Sequence, residues 1–93
     1  MMSKQVTCIR NRGNHEAHER ISVIGGRNSD GTRWSMTEDQ AIRAIEGKKD
    51  EFYVSVNGRA VDVVIAMHKE RKYLKTTADG YSPDNLLSLP ECP

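Results

Sequence analysis

The stretch Lys69-Glu70-Arg71-Lys72-Tyr73-Leu74-Lys75-Thr76 holds the chemistry most readily seen in this chain. Four cations accompany a single acid, an aromatic ring sits among them, and Thr76 closes the run with a hydroxyl donor. Cationic donors beside a ring suit a phosphorylated ligand, because charge-assisted hydrogen bonds hold the phosphate while a base stacks on the aromatic face. The candidate ligand-binding set is Arg20, Lys72, Tyr73, Lys75 and Thr76, with Arg10 able to extend it if the first two strands lie alongside. The plainer reading of the same residues is an edge strand whose lysines discourage self-association.

Other constellations are thinner. His15 and His18 lie three residues apart, but zinc sites normally bring two close ligand pairs, and Cys8 and Cys92 stand at opposite ends of the sequence. No metal and no cofactor is expected. Neither cysteine has a neighbouring imidazole or helix N-terminus to activate it, so both are expected as free thiols packed as small hydrophobes. Acid–base chemistry would draw on His18 with Glu19, or on Asp79 with Asp84. Turn chemistry accounts equally well for Asp79-Gly80, and the first turn of a helix for Asp84. Gly25-Gly26 and Gly31 flank a polar loop without the spacing of a phosphate cradle, which leaves a flexible turn. Trp34 and Tyr53 offer stacking surfaces, although a tryptophan beside a short helix is ordinarily core.

These side chains must be positioned by short elements. Val6, Thr7 and Ile9 predict a first strand over residues 4–10, and Ile21 alternating with Val23 predicts a second that ends at Gly25-Gly26. A loop follows through Gly31, then Trp34 as a core plug. Thr37 is a good N-cap, with Glu38 and Asp39 at the positive end of the helix and Gln40 at capping-box spacing. Ala41, Ile42 and Ile45 form one apolar stripe, and Gly47 is placed to close the helix in the left-handed conformation.

Asn57-Gly58 is the preferred dipeptide of a type I′ hairpin and sits between two alternating apolar runs. A two-residue loop pairs Val56 with Arg59, Val54 with Val61 and Phe52 with Val63. Phe52, Val54, Val56, Val61, Val63, Ile65 and Met67 then share the core face. Lys69-Glu70-Arg71-Lys72 reads as a solvated turn, residues 73–77 as a fifth strand, and Ala78-Asp79-Gly80 as a turn. Ser82-Pro83-Asp84 resembles a helical first turn, after which Leu86, Leu87 and Leu89 can seal the open end of the sheet. The fold class is α+β, an antiparallel sheet of four to five strands in the order ββαβββ with one helix on one face and a Leu-rich C-terminal segment.

The 93 residues, 37% of them hydrophobic and 5% aromatic, suit one thin two-layer domain over residues 1–93. Fourteen Lys and Arg against thirteen Asp and Glu leave a net charge of +1, less than a dedicated nucleic-acid binder usually carries. No apolar run follows the charged start of the sequence, so neither a secretory signal nor a membrane span is expected, and the cytoplasm is the expected compartment.

The segments His18-Glu19-Arg20-Ile21, Lys72-Tyr73-Leu74-Lys75-Thr76, Ala78-Asp79-Gly80 and Asn85-Leu86-Leu87-Ser88-Leu89-Pro90-Glu91-Cys92-Pro93 resemble a bacterial family of short proteins known only as a domain of unknown function. The resemblance implies no activity. Relatives of that pattern carry a Gly-Asn turn where this chain has Glu70-Arg71, and the loop 11–17 is longer here. The expected function is a non-catalytic binding module for an anionic ligand, a nucleotide or nucleic-acid segment. The alternatives are a protein–protein adaptor that uses an exposed sheet edge and a small hydrolase built on His18 and Asp79.

Overall fold

Backbone hydrogen bonding changes hands between Val6 and Thr7, and that one peptide sets the architecture. The Val6 amide donates to the Tyr53 carbonyl at 2.8 Å, whereas the Thr7 amide donates to the Gly25 carbonyl at 2.9 Å. The residues read as one strand are therefore two, in different sheets, with Val6 buried at the corner. No glycine or proline marks the switch, which is why the β-branched run looks continuous.

The computed structural model describes residues 2–11, 20–79 and 84–92. Their elements are β1 (Met2–Gln5), β2 (Cys8–Asn11), β3 (Ile21–Arg27), β4 (Arg33–Thr37), α1 (Glu38–Glu46), β5 (Asp50–Val56), β6 (Arg59–His68), β7 (Arg71–Thr76) and α2 (Asp84–Leu87). The class is α+β, with one main helix and two sheets in place of the expected one. The first sheet runs β1-β5-β6-β7 and the second β2-β3-β4, and β1 lies parallel to β5 while the other pairings are antiparallel. Ile9, Ile21 and Ile24 from the second sheet meet Phe52, Val54, Val63 and Leu74 from the first, with Ala41 and Ile42 of α1 and Leu86 of α2 in the same core.

The hairpin register is as expected where the pairing extends: Val56 faces Arg59 and Val54 faces Val61, with Asn57 and Gly58 at φ 51° and 81°. Phe52 and Val63 are both buried. Met67 departs from the expected core face at 61% exposure, because the end of the ten-residue β6 outruns the layer that covers its middle. The turn after it is tighter than expected. His68 pairs with Arg71, so the turn is Lys69-Glu70 alone, at φ 49° and 68°, and Arg71 and Lys72 belong to β7. Two side-chain-bearing residues hold a conformation that favours asparagine and glycine.

Thr37 and Gln40 form the expected capping box, each side chain accepting a hydrogen bond from the other's backbone amide, at 3.1 and 2.9 Å. Gly47, at φ −82°, is not left-handed as expected; Lys48 takes that role at φ 56°. Gly25 and Gly26 are likewise not a turn. Both are buried inside β3, where a side chain on Gly26 would overlap the Gln5 carbonyl oxygen and approach the Trp34 ring, and one on Gly25 would press on two sulfur atoms at 3.0 Å.

Those sulfurs belong to Cys8 and Cys92, which form a disulfide across a sequence separation of 84 residues. The expectation of two free thiols is thereby overturned. Strand β2 and the C-terminal segment run side by side, the Ile9 amide donating to the Pro90 carbonyl at 3.0 Å and the Cys92 amide to the Ile9 carbonyl at 2.9 Å, which brings the two cysteines together. Distance along the sequence concealed that contact.

Candidate functional site

Two regions carry enough polar chemistry to be considered, and the first is β7. Arg71 donates from Nη2 to Glu38 Oε1 at 3.0 Å, and Glu38, at the start of α1, is only 1% exposed. A carboxylate so deeply buried demands a cationic partner, and Arg71 supplies one. Lys72 forms an ion pair with Glu46 at the other end of α1. Lys75 points its ammonium toward the Asp79 carbonyl oxygen at 3.5 Å.

Thr76 is fully buried. Its amide and hydroxyl each donate to Asp79 Oδ2 at 3.0 Å, and its hydroxyl oxygen accepts from Asn85 Nδ2 at 2.9 Å. The Asn85 amide donates to Asp79 Oδ1 at 3.2 Å, so one carboxylate pins the end of β7 to the start of α2. This knot gives Thr76, Asp79 and Asn85 a structural purpose. It also engages both oxygens of Asp79, the acid of the hydrolase reading, while His15, His18 and Glu19 lie outside the described residues.

Tyr73 is buried, at 3% exposure, so its ring face is closed to a base in this conformation. Arg20 stands exposed before β3, in line with the other sheet. The structure therefore gathers Lys75 and Thr76 around Asp79, directs Lys72 to α1 and places Arg20 apart. No group of three or more possible metal ligands occurs among the described residues.

The second region was missed by sequence reasoning except for the stacking role suggested for Tyr53. A cleft of about 450 Å³ opens between β1, β5 and the loop joining β3 to β4, lined by Lys4, Gln5, Arg27, Asn28, Asp30 and Tyr53 among others. That volume lies within the range of small-ligand pockets. Lys4 reaches over Trp34, its Nζ 5.3 Å from the ring centroid, a cation–π contact that fixes the side chain without neutralising it.

The loop is braced from within. The Asn28 amide donates to the Thr32 carbonyl at 2.7 Å, the Asn28 side-chain amide donates to Thr32 Oγ1 at 2.9 Å, and the Thr32 amide and hydroxyl both donate to Asp30 Oδ1. The Thr32 hydroxyl, followed by the Thr32 amide, holds the Asp30 carboxyl below its usual range, so Asp30 is an anion at neutral pH. Arg27 and Arg33 close this hairpin as directly opposed partners, both exposed and on one face of the sheet. Like charges facing across a ladder repel. Neither arginine, nor Lys4, has a carboxylate ion pair among the described residues. The signal in the sequence is modest: Arg-Asn-Ser-Asp-Gly-Thr-Arg places two arginines symmetrically about a turn, visible only once that stretch is taken as a hairpin.

A small mixed sheet packed with a three-stranded sheet around one helix defines an α+β domain with a polar cleft beside the corner where the sheets meet. A family profile described as "Protein of unknown function (DUF3892)" matches residues 5–90, and the chain belongs to that family. No curated protein and no solved structure matches it. No described helix is long and apolar enough to cross a membrane.

Proposed function

We propose that this chain is a non-catalytic binding module for a small phosphorylated ligand of nucleotide size, held in the cleft between Lys4, Arg27 and Tyr53. The observation that carries the reading is the opposed pair Arg27 and Arg33, two guanidinium groups on one face with no carboxylate in ion-pair range among the described residues. A bound phosphate would turn that repulsion into attraction. Lys4 adds a third positive charge, Tyr53 lines the cleft with a ring for a base, and Asp30 offers an anionic acceptor for a sugar hydroxyl. The β7 cations contribute less to such a site, because Arg71 and Lys72 already serve the carboxylates of α1. The motifs suggest a bacterial protein.

The test is titration with adenosine triphosphate, pyrophosphate and a short single-stranded oligonucleotide, followed by calorimetry and by the fluorescence of Trp34. Affinity should fall as salt rises. Lys4→Gln and Arg27→Gln should each weaken binding by about tenfold, the loss of one charge-assisted contact, while Lys72→Gln and Lys75→Gln change it less than about twofold. Salt-independent binding, or the opposite pattern among the four variants, would overturn this assignment.

A further inference from the structure

The disulfide lies on the same outer face of the second sheet as the opposed arginines. Cys8 pairs with Gly25 in the ladder, and from Gly25 the face continues to Arg27 and, on β4, to Ser35 and Arg33. Both cysteines are half-buried and line a small cavity of about 110 Å³ together with Arg33, Trp34 and Ser35. Cys8 also faces a neighbouring hollow of about 170 Å³ that Arg27, Arg33 and Glu91 line. The two cations there outnumber the one carboxylate, and a partly exposed sulfur in an electropositive hollow is the setting in which thiolates are stabilised.

We propose that Cys8–Cys92 is a redox-active disulfide that exchanges with an external dithiol, Cys8 being the sulfur released as a thiolate beside Arg27 and Arg33. The thiolate of the dithiol attacks Cys92 Sγ. The Cys8–Cys92 bond breaks, its electron pair passes to Cys8 Sγ, and a mixed disulfide joins Cys92 to the reductant. The second thiol of the reductant gives its proton to solvent and attacks its own bridged sulfur, expelling Cys92, which takes up a proton. The protein gains two electrons and the dithiol leaves as a disulfide, so the step is balanced.

The fold is built to survive the reduced state. The C-terminal segment stays attached through the Ile9–Pro90 and Cys92–Ile9 backbone hydrogen bonds, through buried Leu86 and through the Asn85–Asp79 contact. Gly25 leaves the two sulfurs room to re-form their bond, since a β-carbon there would come within 3.0 Å of each. Arg27, which lines the cleft as well as the hollow beside Cys8, and its opposed partner Arg33 are common to this site and to the anion reading, but the exchange needs no ligand in the cleft.

The experiment uses the whole chain, oxidised in air, equilibrated in dithiothreitol buffers of graded ratio, quenched by alkylation and weighed. The expected result is a reversible two-electron transition in which both cysteines become alkylatable together. In the reduced protein at neutral pH, peptide mapping should find Cys8 alkylated by iodoacetamide at least about fivefold faster than Cys92, as its larger thiolate fraction requires. Arg33→Gln should remove most of that difference, while Lys4→Gln should weaken pyrophosphate binding and leave the alkylation rates unchanged. Recovery of two free thiols from the air-oxidised protein, or equal alkylation rates in the reduced one, overturns the proposal. Loss of anion binding in Lys4→Gln with normal Cys8 reactivity separates the failure of one site from that of the other.

Discussion

Strand β7 and the cleft at the sheet corner differ in the fate of their charge. The Lys69–Thr76 stretch is the most basic in the sequence, yet Arg71 and Lys72 are drawn to Glu38 and Glu46, and Thr76 is locked against Asp79. The cleft is assembled from residues far apart in sequence, and its Lys4 and Arg27, with Arg33 opposite Arg27 in the ladder, form no carboxylate ion pair among the described residues. Density of charge along a chain therefore says little about charge available to a ligand. What matters is whether folding supplies each cation with a carboxylate.

That contrast can be broken in order of expected effect. Arg71→Ala should cost about 3 kcal/mol in chemical denaturation, since it removes a cationic partner from the buried Glu38 carboxylate, and should leave pyrophosphate affinity intact. A denaturation midpoint equal to that of the unaltered protein would mean that Arg71 is not needed by the fold and remains available elsewhere. Asp79→Ala should cost about 2 kcal/mol by removing the acceptor for the Thr76 amide and hydroxyl, again without weakening the anion site. If it abolished binding while the protein stayed folded, the β7 assignment would regain priority.

Arg27→Gln should behave in the opposite sense. A tenfold loss of affinity, about 1.4 kcal/mol, is expected with a folding stability unchanged or raised by about 0.5 kcal/mol through relief of the Arg27–Arg33 repulsion. A clear loss of stability would show that Arg27 has a structural partner. Glu70→Gly should raise stability by about 0.5 kcal/mol, because Glu70 sits at φ 68° where glycine carries no steric penalty. A lower thermal midpoint would assign the Glu70 side chain a contact of its own.

The smallest effect concerns acid. Asp30 has a folded-state pKa below the ordinary value, so its bracing of the loop is complete above the ordinary carboxylate range and is lost as pH falls through the lowered pKa. The Thr32 amide resonance should report that titration, and a midpoint at or above the ordinary carboxylate value would contradict the hydrogen bonds drawn to Asp30.

Elements defined by local rules were legible in the sequence. Thr37 with Gln40 announced the start of α1, and Asn57-Gly58 announced a hairpin with its register, since both depend on residues a few positions apart. Contacts that depend on the whole fold were not. The break at Val6-Thr7 leaves the β pattern unchanged, Glu38 looks like any acidic residue in a first helical turn, and Cys8 and Cys92 meet only because β2 lies along the final residues. For the same reason the cleft was illegible: Lys4, Arg27 and Tyr53 come from three separate strands, and nothing in their spacing foretells that they converge.

The bridge from Cys8 to Cys92 gives the chain the topology of a ring. A single cut at an exposed turn such as Asn57-Gly58 would leave one covalent molecule of unchanged mass apart from one added water, and its two pieces would part only after reduction. Around such a ring strand β2 and residues 90–92 lie side by side. A ligand or reductant would meet strand β2 and the final residues there as a single structural unit.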